Sequence, residues 1–253
     1  MLEFLKEKKN QSLDTPETTL QHRAIVMRKK ILKKLYIDWY NSFVNQLPDL
    51  PCGKIIEIGS GGGFLKQLLP DIITSDVLKL PHIDMVFSAE KLPFENQSVS
   101  AIFLMDVLHH IPDSEKFFEE TQRVLCRNGI LFMIEPANTW FSRFIFKKFH
   151  HEPFNEHATT WQFPSSGPLS DANIALPWII FTRDRIQFEK NYSQLCIRSV
   201  SLHTPFRYLI SGGLSYKSPF PSWAFGSITI IEKLLSPLYP FLAMFQTIYV
   251  VKK

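Results

Sequence analysis

The sequence predicts an α/β fold, doubly wound around a mostly parallel sheet, and three observations carry that expectation. Short apolar runs bounded by turn residues alternate with helical patterns up to Pro136. The first of these runs, Lys54 to Gly59, leads directly into a glycine cluster, Gly59-Ser60-Gly61-Gly62-Gly63. Length and composition agree, since 253 residues with 45% apolar and 21% charged content suffice for one large domain with its own core.

In chain order, helical spacing begins at Gln21, with Leu32, Leu35, Tyr36, Trp39, Phe43 and Leu47 forming one apolar stripe that Pro48 stops. Lys54–Gly59 reads as a buried strand, Asp71–Ser75 as a second, Ile83–Phe87 as a third, Val99–Met105 as a fourth and Ile130–Glu135 as a fifth. Between the last two, Asp113–Cys126 reads as a helix with Ser114 as cap and Gly129 just beyond its end. Pro81 leaves almost no helix after Asp76. Phe141–Phe149 is helical and basic. Gln194–Leu202 and Met244–Val251 read as two further strands, separated by far more chain than a hairpin needs. The expected organisation is an N-terminal basic amphipathic helix region over 1–48 and a main domain over 49–253. Lid or insertion segments fall at about 138–190 and 203–243.

Charge is uneven. Residues 1–34 hold nine Lys/Arg, including Lys6, Lys8, Lys9 and Lys29, against Glu3, Glu7, Asp14 and Glu17, a net of +5 in a chain of +4 overall. Such an end attracts anions such as lipid headgroups, or is a solvated helix face. Cys52, Cys126 and Cys196 are widely spaced and odd in number, which excludes a disulfide framework and a CxxC zinc site. They read as buried thiols in a reducing cytoplasm. The opening residues are charged, with no secretory leader pattern, and no run reaches the roughly 18 apolar residues that a spanning helix needs.

The chemistry concentrates at Glu57-Ile58-Gly59-Ser60-Gly61-Gly62-Gly63-Phe64. A dinucleotide fingerprint wants a third glycine where Phe64 stands, which argues against an NAD(P)-linked oxidoreductase. An acid two residues before GxGxG resembles the first motif of class I S-adenosylmethionine-dependent methyltransferases. The resemblance continues in order through Asp76, Ala89-Glu90-Lys91-Leu92-Pro93-Phe94, Asp106-Val107-Leu108-His109-His110-Ile111, Arg123–Ile130 and Glu135-Pro136. These segments look like those of the small-molecule branch that includes the ubiquinone and menaquinone C-methyltransferases.

The resemblance implies a Rossmann-like seven-stranded sheet and S-adenosylmethionine as cofactor. It places Gly59, Ser60 and Gly61 under the methionine portion, Glu57 at its ammonium, Asp76 on the ribose, and Ser88 and Ala89 beside the adenine. Asp106 and Leu108 close the pocket near the sulfonium. For a catalytic base the candidates are His110, His150 and His151, with Glu152 available to orient an imidazole. No HxxxH or HExxH spacing supports a metal site. Asp106-Val107-Leu108-His109 lacks the Pro-Pro-aromatic pattern of base-amino methylation, so nucleic acid is not an expected partner.

The expected acceptor is a small apolar molecule, or one linked to a lipid or glycan, beneath an aromatic lid that includes Trp140, Trp161, Trp178, Phe181, Tyr208 and Trp223. Gly212-Gly213 is a hinge or a plain turn. The basic start and the apolar 223–245 segment together suit peripheral contact with an anionic membrane. A catalytically silent binding protein of the same fold is the remaining alternative.

Overall fold

The computed structural model describes residue 7, residues 14–167 and residues 170–253; the predicted charges Glu3, Lys6, Lys8 and Lys9, and Pro168, lie outside them. The first helix, α1 (Pro16–Arg28), opens on Thr15, whose hydroxyl accepts from the Thr18 N–H at 3.3 Å, with Pro16 in its first turn. The chain then breaks at Lys29, in extended backbone, before α2 (Lys30–Val44). The sequence pattern suggests one helix from Gln21, and two are present. The break has a polar cause: Lys29 is buried, and its ammonium reaches the carbonyls of Gly213, at 2.6 Å, and Tyr216.

The strands are β1 (Lys54–Ile58), β2 (Ile73–Asp76), β3 (Met85–Val86), β4 (Val99–Met105), β5 (Leu125–Pro136), β6 (Leu195–His203) and β7 (Phe245–Lys252). They form one seven-stranded sheet in the order β3-β2-β1-β4-β5-β7-β6, parallel except for β7, which runs against both neighbours. The remaining helices are α3 (Ser114–Val124), α4 (Trp140–Phe149), α5 (Leu176–Trp178), α6 (Arg185–Asn191), α7 (Arg207–Ser211), α8 (Ala224–Leu234) and α9 (Tyr239–Leu242). No helix among the described residues is long and apolar enough to cross a membrane.

Alternation along the central strands sends side chains to two buried layers. Ile102, Leu104, Leu131 and Met133 face α3 and the 154–192 segment, while Ala101, Phe103, Phe132 and Ile134 face α2. Phe43 of α2 stacks on Phe103 with ring centroids 4.6 Å apart. The N-terminal helices are therefore a structural layer of the domain.

Several local expectations are corrected. Asp113, not Ser114, caps α3 by accepting from the Lys116 N–H at 3.1 Å, while Ser114 is buried. Gly129 does not end that helix: β5 begins directly after Val124, and Gly129 lies within it. Gly212, at φ +73°, terminates α7, so the glycine pair forms a helix-end turn. Cys52 is exposed in the turn before β1, and Cys126 and Cys196 are half-buried. Trp161 and Phe181 do not form a lid. They are buried against the sheet beside Phe118 and Phe188, and Trp178 packs on the same layer.

Lys29 joins the α1–α2 junction to the turn after α7. Lys29→Met keeps the apolar stem and removes the donor for two carbonyls, so it should cost about 1–3 kcal/mol in denaturant unfolding. Proteolysis of the native variant should become faster within residues 212–217.

Candidate active site

A cavity of 590 Å³ lies beyond the carboxyl ends of β1, β2 and β4, where an open α/β sheet binds ligands. Of the residues singled out in the sequence, Glu57, Gly59, Gly61, Asp76, Asp106 and His110 line it, and so do Ser88 and Ala89, which follow β3. Ser60 and Leu108 do not. The Ser60 hydroxyl is buried, donates to the Glu57 carbonyl at 3.3 Å and accepts from the Ser75 N–H at 3.2 Å, which ties the glycine loop to β2. Leu108 is buried in the core, and Val107 lines the cavity instead. Thr19 and His22 from α1 and Tyr36 from α2 also line it. Their spacing marks only a helix face, so nothing in the sequence singles them out.

Two glycines are required sterically. Gly59 adopts φ +72°, and a Cβ there would sit 2.4 Å from Val107. At Gly61 a Cβ would meet Thr19 at 2.5 Å and the Asp76 carboxylate at 2.7 Å. That carboxylate accepts from the Gly61 N–H at 3.0 Å through Oδ2 and from the Leu78 N–H at 2.9 Å through Oδ1. Burial raises its pKa, and these N–H groups oppose the rise. Glu57 is 3% exposed, and its Oε2 has no hydrogen-bond partner among the described residues. Burial pushes it up to about 7 against the opposing effects of Ser60 and Arg23.

The turn after β4 is strained and pinned. Asp106 sits at φ +61°, a left-handed conformation that costs a non-glycine residue about 1–3 kcal/mol. The Glu135 carboxylate, fully buried at the end of β5, accepts from the Val107 and Leu108 N–H groups at 2.9 and 2.7 Å through Oε1. Its Oε2 accepts from His109 Nδ1 at 2.8 Å. Sequence reading met Glu135 only as the end of a motif; its organising role needs the pairing of β4 with β5 to be seen.

His109 Nε2 lies 3.4 Å from Glu152 Oε2, so its ring is held between two carboxylates. Burial opposes its charge, but Glu135 and Glu152 outweigh burial and hold its pKa well above the usual imidazole value. The adjacent His110, with ring centroids 4.3 Å apart, responds in the opposite sense. Burial and then the charge of His109 push it down to about 4. His110 Nδ1 donates to the Asp171 carbonyl at 3.2 Å, which leaves Nε2 as the lone-pair nitrogen, 3.7 Å from Glu152 Oε1. Asp106 faces the cavity, and the enclosing protein raises it to about 7, with His109 opposing and Glu135 and Glu152 reinforcing.

His150 and His151 are not in this cavity. His150 Nδ1 and His151 Nε2 approach Glu152 from outside at 3.7 and 3.6 Å, with His151 46% exposed. His150 instead lines a second cavity of 250 Å³ between α4 and α7, otherwise walled by Ile145, Phe146, Tyr208, Leu209 and Met244. The two cavities share the segment after α7: Leu214 lines the first, Gly213 and Ser215 the second. In the triple His109, His110 and Glu152, both His109 nitrogens are already engaged, which weakens it as a metal site.

The larger cavity presents two carboxylates beside the glycine loop. Glu57 offers a buried oxygen without a partner among the described residues, and the Asp76 carboxylate faces the same cavity.

Residues 56–133 match the family described as Methyltransferase domain. No curated protein matches the chain in sequence. Among solved structures, the chain is similar to phosphoethanolamine N-methyltransferase 2 of Haemonchus contortus in complex with S-adenosyl-L-methionine, at 13% identity and TM-score 0.50. That match covers 96% of this chain and 58% of the other. It is also similar to geranyl diphosphate C-methyltransferase of Streptomyces coelicolor A3(2), at 13% identity and TM-score 0.49, over 91% of this chain and 82% of that one. At such identities the likeness is one of fold. The chain thus carries a class I, S-adenosylmethionine-dependent methyltransferase domain with a Rossmann-like sheet.

Glu135→Gln should lose about 3–5 kcal/mol of stability, because it leaves the buried His109 charge with one carboxylate fewer. Chemical denaturation measures the loss, and the His109 ring resonances should then titrate at lower pH than in the parent.

Proposed function

We propose that this S-adenosylmethionine-dependent methyltransferase transfers its methyl group to a small acceptor with an apolar body, free or lipid-linked, whose reacting end enters the cofactor cavity beside His110 and whose apolar body extends toward the cavity between α4 and α7. The observation that carries this reading is the chemistry of that cavity: mostly aliphatic and aromatic walls, one imidazole, Lys217 at its edge, and the segment after α7 that it shares with the cofactor cavity. Acceptors of this kind gain affinity by burial of carbon.

On this reading Glu57 receives the ammonium of the cofactor, and the Gly59–Gly61 backbone lies beneath its methionine portion. Asp76 takes the ribose hydroxyls, and Ser88 and Ala89 border the adenine. Bound there, the cofactor supplies a methyl group activated on a sulfonium. The protein's share is positioning: alignment of two reactants is worth on the order of 7–11 kcal/mol. Asp106 and Val107 fix the wall nearest the acceptor.

Where the acceptor must lose a proton, His110 takes it. Its ring faces the cofactor cavity, and it is held neutral by burial and then by the charge of His109. After protonation, Nε2 turns from acceptor to donor toward Glu152 Oε1. A base held near 4 is weak, so it suits an acidic hydroxyl or an activated carbon better than a simple alcohol. His150, in the second cavity, helps to hold the body of the acceptor.

Calorimetry with S-adenosylhomocysteine tests the cofactor assignments. Glu57→Gln and Asp76→Asn, each of which keeps the shape of the side chain and an acceptor oxygen, should weaken binding roughly 10- to 100-fold. No change in affinity would remove those roles.

Binding of S-adenosylmethionine should also be linked to pH. A cation beside Glu57 favours the carboxylate, so below the free-state value of about 7 a proton must leave on binding. Affinity should therefore fall as pH drops from 7, approaching tenfold per unit, and level off above. Glu57→Gln should flatten that profile.

With an acceptor in hand, His110→Ala should lower turnover by roughly 10²–10⁴ while cofactor affinity persists. His150→Ala should instead raise KM. Reversal of that pattern would exchange the two roles.

A further inference from the structure

The outer surface of the C-terminal insertion carries large apolar side chains that cover nothing. Trp223, just before α8, and Ile230 and Leu234 on it fall at helical spacing and are 75%, 62% and 76% exposed. Phe241 on α9 and Trp140 on α4 continue the surface at 62% and 74%. They are joined through the backbone, since the Thr139 hydroxyl at the start of α4 donates to the carbonyl of Ala243, directly after α9. A surface of this kind marks a binding face.

Its charge says what it binds. From Trp140 to His151 there are three basic residues, Arg143, Lys147 and Lys148, and no acid. From Ser215 to Met244 the single acid, Glu232, is buried, and it accepts from Arg207 and from the Phe206 and Arg207 N–H groups. Lys148 lies along Phe144 and Phe149, with its ammonium 5.5 and 5.9 Å from their ring centroids. Lys34 of α2 stands 5.8 Å from the Phe225 ring at the start of α8, which brings the N-terminal basic helix to the same edge. Exposed tryptophans interleaved with cations, with no exposed acid within residues 140–151 or 215–244, match the headgroup region of an anionic bilayer, where aromatic rings and Lys/Arg heads both settle.

We infer that the face built by α4, the 220–223 turn, α8 and α9 docks the protein on an anionic lipid surface, with Trp140, Trp223 and Leu234 entering the interface, Lys148 and Lys233 held by the headgroups, and Lys147, which also bonds Glu156 at 2.7 Å, beside them. Phe149 and Lys217, which line the apolar cavity, stand beside this face, so docking presents that cavity to the membrane. The inference goes beyond the acceptor assignment, and vesicle binding needs neither cofactor nor acceptor, so each can fail without the other.

The test is co-sedimentation of the full chain with vesicles of phosphatidylcholine, alone or mixed with phosphatidylglycerol. Binding is expected to the mixed vesicles and should weaken in high salt. Lys147→Glu combined with Lys148→Glu should weaken it on the order of tenfold, and Trp223→Ser combined with Leu234→Ser should do so as well. A readout on the unaltered protein accompanies the variants: phospholipids brominated near the headgroup should quench part of its tryptophan fluorescence. Absence of vesicle binding, equal binding to phosphatidylcholine alone, variants that bind like the parent, or absence of quenching would each overturn the inference. So would a solution dimer that Trp223→Ser with Leu234→Ser dissolves, because the face would then belong to a second copy.

Discussion

The buried carboxylate of Glu135 is the constraint on which the site depends. It stands at the end of β5 and reaches across to the turn after β4, taking two backbone N–H groups and the His109 ring. Those three bonds hold Asp106 in a left-handed conformation that isolated backbone resists. With that turn fixed, Val107 faces Gly59 closely enough that only glycine fits there. The glycine loop, the Asp106 turn and the cavity between them are therefore one mechanical unit.

The same carboxylate also divides the labour of two neighbouring histidines. His109 and His110 are adjacent in sequence and nearly in contact, so at neutral pH two charges there would repel strongly in a medium of low dielectric. Glu135 and Glu152 both engage His109, which takes the charge, and that charge adds to burial in keeping His110 neutral. The proton position is set by which ring the carboxylates reach, not by the chemistry of imidazole itself.

The sheet was legible because its signals are local. Apolar runs of strand length and a glycine cluster at the end of the first need no distant partner to be recognised, and β4 appears over the residues expected, Val99–Met105. Glu57, Gly61 and Asp76 come together at one cavity because strand ends converge there by topology. What could not be read depends on long-range contact. Lys29 looked like one more surface charge in a basic run, yet it is buried on carbonyls near residue 215. Leu108 and Ser60 carry motif positions but turn inward, since a motif fixes the backbone path before it fixes which side chain faces the ligand. Periodicity also could not separate aromatics that pack under the sheet, such as Trp161 and Phe181, from those on the outside, such as Trp140 and Trp223.

Closure of both cavities rests on the two ends of the chain meeting. Thr19, His22 and Tyr36 roof the larger cavity, while the segment after α7 separates it from the smaller one. Lys29 joins these parts, and Arg207, which bonds Asp38 of α2 as well as Glu232 of α8, joins them again a few turns away. Neither connection crosses the sheet, so both can loosen without unfolding the core. Apolar packing accompanies them, since Ile210, Leu209 and Leu214 join the α2 layer. The cover is therefore held by buried carbon as well as by polar contacts worth about 1 kcal/mol or less each when solvated and more when buried.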